Sequence, residues 1–347
     1  MENINDNNDN KEKGIEVTDY KQPNEDKNAV ELQSNIKPMA HKNKIIIIIF
    51  IALLLVAITV LINPVVINPV AVNPVDVVTP EAVVNSKTPT PVDDMILIPA
   101  GDFIMGSTDT EIDMAFAMCK EGEYPSGCSR ANYELEYPSH TVFVDDYLID
   151  KREVTNRDFN LFLILKNYRV SSSLDSPYEY ENADNLPVSM ITFKEAVDYC
   201  TWFNKRLPTE AEWEKAARGT NGIMWPWGST WYPNKSNHGK SGETGKEHLD
   251  DSDGYLTSAP VDATPEDISP YGIINMSGNV VEFVSGVFKP YKENDKYNIL
   301  EAGPNTILMK GGSYKEDKFN SRTTTRWNEV PNYFRSPVAG FRCAKDK

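Results

Sequence analysis

Residues 237–255, NHGKSGETGKEHLDDSDGY, gather oxygen-bearing side chains in one short run. Asn, several Asp and a Gly turn supply the hard donors that calcium prefers. The spacing is not that of an EF-hand loop, so from composition alone the run reads as a solvated acidic loop. Asp251 and Asp253 form an acid pair that could in principle serve acid–base chemistry, with ion ligation or solvation the stronger reading. Hydrolytic signatures are missing: there is no GxSxG elbow, HExxH helix or phosphate-cradling glycine loop. The four cysteines, Cys119, Cys128, Cys200 and Cys343, show no CxxC spacing, which argues against zinc.

These residues need a scaffold, and three helices are written in the same way. Thr155 to Asp158, Thr192 to Glu195 and Thr209 to Glu212 each place a Thr three residues before an acid, which predicts reciprocal capping of orphan amides. Behind the caps run Phe159, Phe162 and Leu163; Phe193, Ala196, Val197, Cys200 and Phe203; and Trp213, Ala216 and Ala217, each at helical spacing for a core face. Gly219 is placed to end the third helix in a left-handed cap. MILIPAGDFIMGS and HTVFVDDYLID alternate as strands do. The rest is Trp-, Gly- and Pro-rich loop, so an α+β domain low in regular secondary structure is expected over residues 94–347.

Loops of that extent need restraints. Four cysteines permit three pairings. A Cys200–Cys343 bridge would close most of the domain, and a Cys119–Cys128 bridge would staple a local insertion.

Upstream, residues 45–62, IIIIIFIALLLVAITVLI, are apolar over the length a transmembrane helix requires, with no polar face for water. Lys37, Lys42 and Lys44 precede the span and no Lys or Arg follows until Lys87. The positive-inside bias therefore expects a single-pass cell-membrane protein with a cytoplasmic amino terminus and an extracytoplasmic carboxyl-terminal domain. Residues 1–44 are polar and charged and read as a disordered cytoplasmic tail; residues 63–93, with Asn-Pro-Val recurring, read as a Pro-rich stalk. The net charge is −16, from 51 acids and 35 bases, which disfavours nucleic acid as a partner.

RLPTEAEWEKAARG, MWPWG, APVDATPEDISPYGIINMSGNVVEF, MKGGSY and AGFRCA, in that order, resemble the signatures of the formylglycine-generating enzyme, or sulfatase-modifying factor, family. The resemblance covers residues 94 to 345. It implies a compact variant of the C-type-lectin-like fold, reinforced by calcium and disulfides. By that resemblance Cys200 and Cys343 fall where secreted members have a structural disulfide. Asn237, His238, Asp253 and Tyr255 match one calcium site, the His and Tyr acting through backbone carbonyls. Asn275, Gly278, Val280 and Glu282 match a second, with Glu136 added from a ligand-like position before a strand.

At the catalytic position the chain departs from the family. The oxidising members carry a copper-binding cysteine pair a few residues beyond GGSY, whereas this chain has KEDKFNSRTTTRW, with Ser321 and Arg326 in the matching places. Copper(I) needs thiolates, which a hydroxyl or a guanidinium does not replace, so no copper and no cysteine oxidation are expected. Iron-dependent relatives need a His-rich facial site, and His140, His238 and His248 are not spaced as helix neighbours. Ser321, Arg322, Arg326 and Trp327 instead suggest a groove that grips an anionic or extended ligand, whether protein, peptide or glycan, by guanidinium forks and stacking. The expected function is a membrane-anchored binding or accessory domain. Two alternatives stand beside it: a protein-modifying enzyme using other residues of the same groove, and a sensor signalling through the stalk.

Overall fold

The computed structural model describes residues 94–122, 125–168, 183–240, 250–264, 266–295, 306–331 and 333–347. The expected tail, membrane span and stalk lie outside these residues, as do His248 and Asp251's neighbours at 241–249. Among the described residues no helix is long and apolar enough to cross a membrane.

The strand-like sequences split into nested pairs. β1 (Met95–Ile98) pairs antiparallel with β4 (Tyr147–Asp150), while β2 (Gly101–Met105) pairs with β3 (His140–Val144). A third partner for β4 comes from the far end of the chain, β9 (Ala344–Asp346), giving the order β1-β4-β9. β2 and β3 stand as a two-stranded sheet of their own, and β5 (Val281–Val287), β6 (Thr306–Lys310), β7 (Arg326–Pro331) and β8 (Ala339–Gly340) form a third sheet in the order β7-β6-β5-β8. β8 lies parallel to β5.

Among the described residues four α-helices occur, one more than the caps predict. α1 (Asp109–Lys120) starts at a full Thr108–Glu111 capping box, followed by α2 (Asn156–Lys166), α3 (Phe193–Trp202) and α4 (Glu210–Arg218). The boxes at Thr192 and Thr209 are reciprocal as expected. At Thr155 only half the box forms: its hydroxyl accepts from the Asp158 amide, without a return bond. Asp is one methylene shorter than Glu, and the Asp158 carboxylate lies beside Arg157 instead, at 3.5 Å. Gly219 ends α4 with φ 65° but ψ −155°, so it is a positive-φ stop rather than the left-handed cap expected.

The apolar faces converge on two cores. Trp213, Ala216 and Ala217 of α4 pack with Ile98, Phe103, Ile149 and Val284 from all three sheets. Phe159, Phe162, Ala196, Tyr199 and Phe341 surround the bridge between Cys200 and Cys343. There Tyr199 lies 5.3 to 5.7 Å, centroid to centroid, from Phe159, Phe162 and Phe341, within the range of favourable aromatic pairing.

Candidate functional site

β7 and the loop before it carry the four residues expected to form a ligand groove, and the structure assigns their charges inward. Arg322 is 1% exposed. Its guanidinium forks onto Glu136 at 2.6 and 2.7 Å, and its Nε donates to the Phe319 carbonyl. Burial alone would raise the Glu136 carboxyl, but Arg322 outweighs it and holds the group below its ordinary value. Arg326, 5% exposed, donates to the carbonyls of Leu135 and Lys289 at 2.8 Å and to Glu210 at 3.0 Å. Its guanidinium lies over the rings of Tyr291 and Phe288 at 4.2 and 4.7 Å. Trp327 donates its indole N–H to the Gly311 carbonyl. Ser321 is fully buried against Gly312.

This corrects the sequence expectation for the groove. Neither guanidinium is free to grip a ligand, because each neutralises a carboxylate from a distant part of the chain. Glu136, expected near calcium, is met by Ser107, Arg322 and Thr324. Glu210, which the sequence does not single out, is the partner of Arg326; its place in the first turn of a capped helix is the sole sequence signal.

Beside Arg326 a cavity of about 540 Å³ remains, its walls including Met105, Pro138, Val287 and Pro290. Part of its polar lining is internally engaged: Tyr291 donates its hydroxyl to Glu210 at 3.0 Å, and His140 Nδ1 lies 2.8 Å from the Pro138 carbonyl, while Lys289, Lys292 and Glu293 stand at its rim. The His140 ring meets Tyr291 edge-on at 4.6 Å. A cleft of this kind suits an apolar segment; it holds no nucleophile–base pair.

The two expected calcium sets differ. Among the described residues no three His, Cys, Asp or Glu side chains converge on a metal position, so any ion here would rely on amide and backbone oxygens. The first set is brought together: Asp253 accepts from the His238 and Tyr255 amides at 3.0 and 2.9 Å, and the buried Asn237 Oδ1 has no hydrogen-bond partner among the described residues. Burial raises the Asp253 carboxyl above its ordinary value, which a cation would reverse. Gly278, at φ 103°, packs on this set so closely that a Cβ would collide with the Asn237 carbonyl. These residues fit a hard cation.

The second set does not. Glu282 accepts from Arg342 through both oxygens, at 2.6 and 2.7 Å, and from the Trp213 indole at 2.8 Å. Arg342 also donates to the Ile274 and Asn275 carbonyls. The positive charge at Glu282 is therefore a guanidinium. Asn275 turns its amide to Glu153, whose partner on the other side is Asn279, each at 2.8 Å. Burial pushes Glu153 up to about 7 despite Arg342 nearby. Val280 is buried in the turn that leads into β5.

All four cysteines are consumed. Cys119 bonds Cys128 and Cys200 bonds Cys343, which resolves the three possible pairings.

The fold and site define a mixed α/β domain, low in regular structure, with a thiol-free centre. Residues 80–347 match the sulfatase-modifying factor enzyme 1-like domain, and the chain belongs to that family. The uncharacterized protein YfmG of Bacillus subtilis is 29% identical over 77% of this chain, a match that spans 57% of YfmG's own length. The formylglycine-generating enzyme of Mus musculus is 29% identical, covering 73% of this chain and 75% of its own. The inactive C-alpha-formylglycine-generating enzyme 2 of Mus musculus is 28% identical, covering 72% and 85%. PvdO from Pseudomonas aeruginosa shares the fold, with a TM-score of 0.56 and 22% identity over 73% of this chain and 94% of PvdO.

Proposed function

We propose that this chain is a membrane-anchored, extracytoplasmic binding or accessory domain that keeps a C-type-lectin-like scaffold and lacks the copper-dependent cysteine oxidase. The observation that carries the reading is the bonding of all four cysteines in disulfides, which leaves no thiolate for copper(I). The apolar cleft beside Arg326 favours an extended apolar peptide segment as the ligand over nucleic acid or a free anion. The apolar run at residues 45–62 supports the anchor, and relatives named both as the enzyme and as its inactive form are compatible with either activity.

The purified full-length chain, offered a cysteine-containing sulfatase peptide with copper and oxygen, is expected to yield no aldehyde by mass spectrometry and to bind copper(I) no better than its disulfide-bonded denatured form. Aldehyde formation would overturn the reading. An enzyme using other residues of the cleft is the alternative, and its base would be Nε2 of His140, whose Nδ1 is held by the Pro138 carbonyl, because Glu210 is engaged by Arg326.

Calcium belongs to the same proposal, held by Asn237 and Asp253 with the carbonyls of His238 and Tyr255. At a hundredfold excess over its dissociation constant an ion stabilises by about 2.7 kcal/mol. For a domain of this size, chelation is then expected to lower the melting temperature by roughly 5–10 °C. An unchanged melt in chelator would remove the site.

A further inference from the structure

α2 buries Phe159 and Phe162 in the second core, with Leu163 packed at the margin. Its last turn carries apolar surface that this core does not use: Ile164 is 76% exposed and Leu165 39% exposed. Trp202, the last residue of α3, is 47% exposed. The two helix ends lie side by side. The Lys166 ammonium stands 5.6 Å from the centre of the Trp202 ring and 5.3 Å from that of Tyr168, and Tyr168 donates its hydroxyl to Asp198 of α3 at 2.6 Å.

Single exposed apolar side chains are ordinary on a protein surface. Here three large ones occupy one pair of helix ends, and their company is specific. An indole with one polar edge settles at the level of lipid headgroups, and a lysine beside it reaches outward to phosphate while its stem stays in apolar surroundings. Lys166 is placed for that, since its ammonium lies over rings at the tip of the helix.

The path of the chain into the domain selects the occupant. Asp94, where the described domain begins, borders the same cavity of about 310 Å³ as Phe203, the residue after Trp202. The polypeptide therefore enters the domain on the side where α3 ends. The apolar run stops at Ile62, and residues 63–93 span at most about 3.6 Å each, so a tether no longer than roughly 110 Å fastens this side. Tethering makes the contact intramolecular, so a patch too small to hold a free protein on lipid suffices. A chain of net charge −16 has no electrostatic reason to approach an anionic surface, which leaves apolar burial as the attraction.

We infer that the joined ends of α2 and α3 dock in the headgroup region of a lipid bilayer, with Ile164, Leu165 and Trp202 entering the acyl boundary and Lys166 donating to a lipid phosphate. This rests on the membrane anchor proposed above. It is independent of the missing thiols, of calcium and of the cleft beside Arg326.

The full-length chain, reconstituted into phosphatidylcholine vesicles with or without bromine at positions 6 and 7 of one acyl chain, tests it by fluorescence. All 6 tryptophans lie at Trp202 or beyond, so the emission reports on the domain alone. Brominated lipid is expected to lower the emission by up to about one-sixth, the share of one indole. Trp202→Phe is expected to abolish that loss. The pair Ile164→Ser and Leu165→Ser, both exposed, is expected to abolish it with the melt unchanged. Added phosphatidylglycerol is expected not to increase it. Vesicles that retain the chain through an alkaline wash and flotation but show no loss dependent on Trp202 would overturn the docking and leave the anchor standing, as would an undiminished loss in the Ile164 and Leu165 variant. A chain that fails to float with the vesicles would overturn the anchor and the docking together.

Discussion

Arg342→Met is expected to destabilise the domain by about 3–5 kcal/mol, the cost of breaking a buried ion pair from one side. Arg342 is fully buried and Glu282 is 1% exposed. Removing the guanidinium leaves the Glu282 carboxylate charged in the core, beside Glu153. It also strips donors from the carbonyls of Asp150, Lys151, Ile274 and Asn275. Met fills much of the same volume, so the loss reports charge and hydrogen bonding rather than a cavity. For a domain of this size the melt should fall by roughly 10–15 °C. Arg342→Lys should recover only part, because an ammonium does not reproduce a fork that reaches a carboxylate and four carbonyls. Combining Arg342→Met with Glu282→Gln should cost less than the sum of the single changes. A loss under about 1 kcal/mol for Arg342→Met would show that the pair adds little.

The bridge between Cys200 and Cys343 should weigh as much. Its partners are 143 residues apart, and the chain-entropy model assigns a loop of that length on the order of 5 kcal/mol. Both sulfurs are fully buried in the aromatic core, so the double replacement by Ala also leaves a packing defect. Cys119 and Cys128 are 9 residues apart, and the same model gives about 2.5 kcal/mol for removing their bond. Urea titration of the two double variants should therefore rank them in that order, with the Cys200–Cys343 variant the less stable. Equal midpoints would mean that the aromatic packing, not the crosslink, holds the second core.

The helices and the first sheet were legible because their signals are local. A Thr three residues before a Glu, followed by apolar residues at helical spacing, needs no tertiary information, and α3 and α4 form as that pattern says. Thr108 and Glu111 carry the same pattern ahead of α1, but the helix behind them, DTEIDMAFAMCK, mixes its apolar residues among acids and shows a weak face. The site was less legible because its decisive contacts are remote. Arg322 finds Glu136 across 186 residues and Arg342 finds Glu282 across 60. An arginine beside a tryptophan looks the same in sequence whether it faces a ligand or a carboxylate. Asn237 shows the intermediate case: its neighbours suggested an ion, and its unpartnered oxygen is visible only once the fold is built.

The meeting of early and late segments has a consequence for biogenesis. β9 pairs with β4, and Cys343 and Arg342 bind Cys200 and Glu282, so residues translated late in this domain occupy the middle of an assembly begun some two hundred residues earlier. A nascent chain that has emerged through β5 lacks the cation and the crosslink that its interior is built around. It should remain loosely organised until those residues arrive. Folding of the domain therefore waits on its carboxyl-terminal strand rather than on the helices that are made first.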